Sequence, residues 1–153
     1  VTGGEPLLQA GVVDLMKALV ADGRTILLET SGALGHDKLV PLAEVPAGVH
    51  RIVDLKAPGS GISGDLIDWA GIAGLGSGDE IKIVCAGRSD YEWGRDLVRA
   101  GDRFPAGVVV TFSPVQPDLA PRDLAEWILA DRLDAFFQIQ LHRAVWPDTD
   151  RGV

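Results

Sequence analysis

The start of the chain carries the residues best suited to ligand chemistry. Thr2, Gly3, Gly4 and Glu5 precede Pro6 and an apolar helical pattern that begins directly after it. Two adjacent glycines let the backbone adopt φ > 0 or approach a ligand closely, and Glu5 adds an acceptor for a ligand ammonium group. In a β/α protein such a junction lies at the carboxyl end of a strand, where ligands bind. Taken alone, the pattern favours an ordinary glycine-rich turn capped by an acid, because short glycine motifs match often.

Further polar residues follow two later apolar runs. Glu29 and Ser31 follow one short run, and Asp54 and Lys56 end the next, before a glycine-rich loop. A lysine at that place suits an anionic ligand group such as a carboxylate. For each residue taken singly, a capped turn or a solvated lysine is the alternative. If these runs are strands of one parallel sheet, Glu5, Glu29 and Lys56 should line a common cleft.

A third polar set lies near the end of the chain. Gln138 and Gln140 are two residues apart on a predicted last strand, and His142 continues the alternation. Three polar side chains on one face need hydrogen-bonding partners, which a polar ligand could supply. The solvent face of an edge strand is the alternative interpretation.

Composition narrows the class of protein. The chain has 153 residues, of which 46% are hydrophobic and 24% charged, as in an ordinary globular domain. The net charge of -8, without a stripe of Lys and Arg, argues against a nucleic-acid partner. No apolar run has the length of a membrane span. We therefore expect one domain over 1–153, in the cytoplasm, with no membrane partner.

Hydrophobic periodicity predicts alternating strands and helices. Val1 is interpreted as the last residue of a strand, and Ser89 as a helix cap. Predicted strands cover 25–29, 49–55, 80–84, 107–112 and 135–141. Predicted helices cover 8–19, 65–75, 89–100 and 121–130, with a short or broken helix over 36–47. This order indicates an α/β fold with a parallel sheet.

Six segments together resemble a known enzyme family. They are Thr2–Leu8, Leu28–Gly32, Val53–Gly61, Asp79–Lys82, Phe112–Val115 and Gln138–Pro147. In that order and at these separations they resemble the 7-carboxy-7-deazaguanine synthases of the radical S-adenosylmethionine superfamily. The GGEP segment alone would indicate only the superfamily, whereas ETSG and the closing QLH-x3-W narrow the resemblance to this family. It covers nearly the whole chain.

The resemblance implies a fold and a reaction. The fold would be a partial, open parallel β/α barrel of the radical S-adenosylmethionine type, and Lys82 is then expected to point into its interior. The reaction would be that of a carbon–nitrogen lyase, in which a reduced 4Fe-4S cluster cleaves S-adenosylmethionine. The resulting radical starts the conversion of 6-carboxy-5,6,7,8-tetrahydropterin to 7-carboxy-7-deazaguanine, with loss of ammonia, in queuosine and deazapurine biosynthesis. Family members also need Mg2+, a reductant such as flavodoxin, and form homodimers.

The resemblance also implies roles for particular residues. Those expected near S-adenosylmethionine are Gly3, Gly4, Glu5, Glu29, Ser31, Asp54 and Lys56, and those expected to face the pterin are Thr2, Gln140 and His142. In the family, the strand that corresponds to 49–55 often ends in Ser-Pro-Lys, where this chain has Asp54-Leu55-Lys56. Lys56 matches the family pattern, whereas Asp54 and Leu55 depart from it.

Cysteine usage departs from the family pattern. Radical S-adenosylmethionine enzymes hold their cluster with three nearby cysteines, but this chain contains only Cys85, interpreted as a buried strand residue. The cluster loop and the Mg2+ ligands are therefore expected in an amino-terminal part that this sequence lacks, which would leave the chain alone incomplete and inactive. The alternatives are another radical S-adenosylmethionine protein, such as an activating enzyme, and a cluster-less binding module of the same fold.

Overall fold

A five-stranded parallel sheet forms the centre of the computed structural model, which describes residues 1–33 and 39–146. The strands pair in sequence order, each parallel to the next. They are β1 (Ile26–Thr30), β2 (Val49–Leu55), β3 (Glu80–Cys85), β4 (Val109–Pro114) and β5 (Phe136–Phe137). The helices are α1 (Val12–Ala21), α2 (Trp69–Ile72), α3 (Arg88–Ala100), α4 (Pro121–Asp131) and α5 (Leu141–Val145). The predicted α/β class with a parallel sheet is confirmed.

The two faces of the sheet differ in composition. One face is covered by α1, α3 and α4, and its side chains form the core; they include Leu28, Val53, Ile81, Ile83 and Phe112, all fully buried. The alternate residues of the same strands point to the opposite side, called here the inner face, which includes Leu27, Glu29, Ile52, Asp54 and Lys82. These inner-face residues are half-buried or exposed. Polar side chains therefore lie on the face opposite α1, α3 and α4.

Close helix packing fixes the core side of β3 and β4. Gly94 on α3 lies so near the sheet that a Cβ there would come within 2.7 Å of the Phe112 ring and 3.0 Å of Ile83. Only glycine therefore allows α3 to approach β3 and β4 at this depth.

Val1 pairs with β1 as the sequence predicted. Its amino group donates to the carbonyl of Leu27 at 2.6 Å, and its carbonyl accepts from the N–H of Glu29 at 3.0 Å. This is the hydrogen-bond pattern of a residue in a parallel strand beside Leu28. The glycine turn is thereby held next to the carboxyl end of β1.

Four strands lie where they were predicted, within one or two residues, but the last does not. The predicted strand over 135–141 was wrong beyond Phe137, because the chain pairs with β4 only at Phe136 and Phe137. It then turns, and Leu141–Val145 forms a short helix. Gln138 keeps a backbone hydrogen bond to Phe112 at 2.9 Å, whereas Gln140 is the residue before α5. The alternating polar row expected along a strand is therefore absent.

The predicted helices need smaller corrections. A 3-10 turn, Pro6–Leu8, precedes α1, and only Trp69–Ile72 of the predicted helix over 65–75 is α-helical. The prediction of Ser89 as a cap was wrong, because α3 begins at Arg88 after Gly87. Of the predicted short helix over 36–47, residues 36–38 lie outside the described part, and the remainder holds one 3-10 turn, Leu42–Glu44. Within 1–33 and 39–146, no helix is both long and apolar enough to cross a membrane.

Candidate cofactor-binding cleft

A cleft of about 240 Å³ opens on the inner face at the carboxyl ends of β1 and β2. Its lining combines the glycine turn with polar residues of three strands: Thr2, Gly4, Glu5, Glu29, Thr30, Ser31, Ile52, Asp54, Lys56 and Lys82. The prediction that Glu5, Glu29 and Lys56 line one cleft is confirmed. The three residues meet because a parallel sheet brings the ends of successive strands to one edge.

The glycine turn presents open backbone to solvent. Gly3 has φ +96° and Gly4 has φ +55°, backbone conformations that residues other than glycine rarely adopt. A Cβ built on either residue meets nothing within 4 Å. The requirement for glycine is therefore conformational, and the backbone at Gly4 remains accessible to a ligand in the cleft.

Glu5 is held by the protein rather than left open for a ligand. Its Oε1 accepts from the Leu7 N–H at 3.1 Å and from the Thr30 hydroxyl at 2.7 Å. Its Oε2 accepts from the Ser31 N–H at 2.9 Å and from the Ser31 hydroxyl at 2.7 Å. A carboxylate offers about four acceptor positions. The interpretation of Glu5 as a spare acceptor for a ligand ammonium is thus corrected: Glu5 joins the glycine turn to the end of β1.

This network sets the ionisation of Glu5. Burial alone would raise the pKa of its carboxyl group, but the hydrogen bonds from Ser31, Thr30 and Leu7 outweigh that effect and leave the pKa below its ordinary value. Glu5 is therefore an anion near neutral pH. Because the Ser31 hydroxyl donates a hydrogen bond to Glu5, Ser31 can act toward a ligand only as an acceptor, through its hydroxyl oxygen.

Thr2 and Glu29 form a second pair across the same junction. The Thr2 hydroxyl donates to Glu29 Oε2 at 2.8 Å, and both residues are exposed. No group among the described residues donates to the other carboxylate oxygen, Oε1. Glu29 can therefore accept a hydrogen bond from a ligand while Thr2 fixes its orientation.

Lys56 and Asp54 form an ion pair at the end of β2. The Lys56 ammonium lies 2.5 Å from Asp54 Oδ2, and the two side chains are 33% and 35% exposed. Asp54 Oδ1 is buried and has no hydrogen-bond partner among the described residues. An ammonium has three donors, so Lys56 keeps two for an anionic ligand group. The pair orients Lys56 toward the cleft.

Asp90 holds the loop that follows Lys56, and sequence reasoning missed it. This buried residue of α3 accepts from the Gly59 N–H at 2.8 Å and from the Ala86 N–H at 2.9 Å. It thus ties the loop after Lys56 to the loop after β3. The only sequence signal was an acid in the first turn of a helix, which typically marks an N-terminal cap.

The polar residues at the end of the chain do not line this cleft. Gln138 and His142 are exposed and Gln140 is half-buried, next to β5, which lies at the far edge of the sheet from β1. The prediction that they share a strand face was wrong because the strand ends at Phe137. Their assignment to the pterin stays a prediction.

The described residues contain no group of three or more His, Cys, Asp or Glu side chains placed to hold a metal ion. Cys85 is fully buried on the core face of β3, and burial, reinforced by the charge of Asp90, raises the pKa of its thiol to about 12. Its interpretation as a structural strand residue is confirmed. Cys85 is therefore unsuited to supply a metal-binding thiolate.

Comparison with known proteins places the chain among named relatives, although no family model matches it. The 7-carboxy-7-deazaguanine synthase of Chlorobaculum tepidum is 41% identical over 155 residues, spanning 100% of this chain and 67% of the relative. The 7-carboxy-7-deazaguanine synthase of Koribacter versatilis is 39% identical, spanning 100% of this chain and 70% of that protein. The chain therefore corresponds to about two thirds of the length of these relatives.

A solved structure supports the fold. SuiB of Streptococcus suis, in a crystal structure bound to S-adenosylmethionine, superposes with a TM-score of 0.63 at 15% identity. The match covers 95% of this chain and 39% of SuiB. At that identity the likeness concerns the fold alone, and it agrees with the partial β/α barrel that the sequence predicted. Together with the full-length match at 41% identity, it shows that this chain belongs to the 7-carboxy-7-deazaguanine synthase family.

Proposed function

We propose that the protein converts 6-carboxy-5,6,7,8-tetrahydropterin to 7-carboxy-7-deazaguanine with loss of ammonia, and that the cleft binds S-adenosylmethionine for this reaction. The main support for the proposal is the match, at 41% identity over the whole of this chain, to a protein named 7-carboxy-7-deazaguanine synthase. The cleft supports it, because open glycine backbone, oriented oxygen acceptors and a lysine occur together in it.

The lining suits the methionyl end of S-adenosylmethionine, which carries an ammonium and a carboxylate. The backbone of Gly3 and Gly4 would approach the ammonium, with the Ser31 oxygen as an acceptor, while Lys56 would bind the carboxylate. Glu5 holds Ser31 in place through its two hydrogen bonds to that residue. When bound, the cofactor and a 4Fe-4S cluster supply the radical that starts the reaction.

The neighbouring polar residues would hold the ribose and the substrate. Glu29 and Asp54 line the same cleft, where a ribose hydroxyl could donate to Glu29 Oε1 or to Asp54 Oδ2. Thr2, Gln140 and His142 are proposed for the pterin. Of these, Thr2 lies in the cleft. Its hydroxyl donates a hydrogen bond to Glu29, and the hydroxyl oxygen can still accept one from a ligand.

Further partners belong to the proposal as well. One cysteine cannot supply the three thiolates of a 4Fe-4S site, so the cluster and any Mg2+ would be held by residues outside these 153. We also propose a reductant such as flavodoxin, a homodimer and a cytoplasmic location. The single cysteine also favours a second candidate, a binding module of the same fold that lacks the cluster.

The test is turnover by the natural protein, prepared anaerobically with its cluster reconstituted and supplied with reductant, S-adenosylmethionine and the pterin. Mass spectrometry should detect 7-carboxy-7-deazaguanine. Lys56→Ala should weaken S-adenosylmethionine binding roughly ten- to a hundredfold, because it removes a charge-assisted hydrogen bond. Lys17→Ala, on the exposed surface of α1, is the matched control. Binding of both compounds without product would favour the cluster-less module.

A further inference from the structure

Lys82 carries a positive charge on the inner face of the sheet. Its Cα partners across the sheet are Asp54 on β2 and Thr111 on β4, and its half-buried side chain lines the cleft. In the described part of the chain, its ammonium forms no ion pair and no hydrogen bond with another residue. Lys82 therefore differs from Lys56, which is paired.

The acids on the inner face around Lys82 form no ion pair with it in the described part of the chain. Asp54 Oδ2 accepts from the Lys56 ammonium, and Asp54 Oδ1 is buried. Glu80 lies on the same face of β3, two residues earlier, yet within the described ranges it takes part in no ion pair. Glu29 lies two strands away and accepts from Thr2. The charge of Lys82 is thus available to a group that enters the cleft.

The Lys82 side chain is half-buried, and its ammonium, which faces the cleft, has no protein partner among the described residues. It has three donors to satisfy, and its inner-face surroundings include the apolar side chains of Ile52 and Val84. Partial loss of water raises the free energy of the charged group unless an anion replaces the water. An anionic ligand on the inner face would supply that missing interaction.

We infer that Lys82 binds the carboxylate of a small molecule held on the inner face of the sheet. The inference rests on the proposed function, whose cofactor and substrate each carry one carboxylate. Lys82 lies on β3, two strands from β1 and the glycine turn, which corresponds to roughly 10 Å across the sheet. Since the methionyl group is assigned to the glycine turn and Lys56, the pterin carboxylate is the expected partner of Lys82.

The test compares ligands that differ only in the carboxylate. Binding to the natural protein is measured anaerobically by calorimetry for 6-carboxytetrahydropterin against tetrahydropterin, and for S-adenosylmethionine against its decarboxylated analogue. Lys82→Met should weaken binding of the carboxylated pterin roughly ten- to a hundredfold and leave that of tetrahydropterin unchanged. Lys82→Arg, which keeps the charge, should restore part of the affinity. Lys17→Met on α1 is the control and should change neither.

The outcomes separate the two ligands and the two proposals. If only the affinity for S-adenosylmethionine falls, and not that for its decarboxylated analogue, the inference holds with the cofactor as the source of the carboxylate. Equal affinities of Lys82→Met and the unaltered protein for both carboxylates would overturn the inference and leave the proposed function standing. An unaltered protein that binds neither compound would overturn both.

A stability measurement excludes a purely structural role. Because Lys82 has no described partner, Lys82→Met should leave the urea midpoint of the ligand-free protein unchanged or raise it. A lower midpoint with unchanged ligand affinity would mean that Lys82 pairs with another part of the protein, and would overturn the inference.

Discussion

The carboxylate of Asp90 accepts a hydrogen bond of 2.8 Å from the backbone N–H of Gly59, although 31 residues separate them in the chain. A Cβ at Gly59 would lie 2.5 Å from Asp90 Oδ2, so the loop and the helix are in close contact. Because Lys56 lies only three residues before Gly59, Asp90 fixes the loop that follows this cleft lysine.

Asp90→Asn should therefore affect both stability and the cleft. The amide presents an NH2 group to one of the two backbone N–H donors, and a buried donor left without an acceptor costs about 1–3 kcal/mol. We expect the free energy of unfolding, measured in urea, to fall by that amount, and S-adenosylmethionine binding to weaken. Asp102→Asn, at an exposed position, is the control and should change neither value. Unchanged stability of Asp90→Asn would remove Asp90 from this account.

Glu5 should contribute a stability that depends on pH. Its folded pKa lies below the ordinary value of 4.5, so its contribution is complete above pH 4.5 and is lost as the pH falls through the folded pKa. Glu5→Gln should lower the free energy of unfolding by about 1–3 kcal/mol at neutral pH. The difference from the unaltered protein should shrink in acid.

Urea titrations at a series of pH values test this prediction, with Glu44→Gln at an exposed 3-10 turn as the control. If the difference in free energy of unfolding between Glu5→Gln and the unaltered protein stayed constant as the pH fell into the acid range, the ionised Glu5 carboxylate would not be the source of this stability.

The pair of Arg51 and Asp79 should stabilise the sheet at the edge opposite the cleft. The two side chains lie 2.6 Å apart and are 18% and 6% exposed, and Asp79 also accepts from the Gly76 N–H. Burial would raise the pKa of Asp79, but the hydrogen bonds from Arg51 and Gly76 lower it below its ordinary value. Asp79→Asn leaves a partly buried guanidinium without its anion, which costs up to about 3–5 kcal/mol.

The matched control is the pair of Asp22 and Arg24, whose side chains are 64% and 69% exposed. Asp22→Asn should cost less than about 1 kcal/mol because solvent screens the pair. Both values come from urea unfolding at neutral pH. Equal losses for the two variants would show that burial does not determine the strength of the Arg51–Asp79 pair.

The chain of 153 residues should not assemble a cluster by itself. It has one cysteine, and Cys85 is buried with a raised pKa. Anaerobic reconstitution with iron and sulfide should give no stoichiometric charge-transfer absorbance of a 4Fe-4S cluster. Cys85→Ala should behave in the same way. A stoichiometric cluster spectrum from this chain would refute the prediction.

Local sequence patterns were enough for most of the fold. The apolar segments around Leu28, Val53 and Ile83 predicted buried parallel strands, and the alternation along β3 placed Lys82 on the inner face. The alternation beyond Phe137 misled, because Gln138 and Gln140 have the period of a strand but pairing with β4 ends at Phe137, although β4 continues to Pro114. Strand length depends on the neighbouring strand, which a local pattern does not contain.

Part of the cleft lining was predicted, but its internal contacts were not. Sequence spacing brought Glu5, Glu29 and Lys56 to one cleft, since strand ends meet at one edge. It could not show that Glu5 is saturated by Thr30 and Ser31, 25 and 26 residues away, because hydrogen bonds over such separations depend on the folded geometry. The same reason hid the role of Asp90.

A crystal structure of the natural protein grown with S-adenosylmethionine tests the central claim most directly. We expect the methionyl group of the ligand at the glycine turn, with its ammonium beside Gly4 and Ser31 and its carboxylate within hydrogen-bond distance of Lys56. S-adenosylmethionine bound on another face of the sheet, or a cleft without ligand at concentrations that saturate the protein in solution, would contradict it.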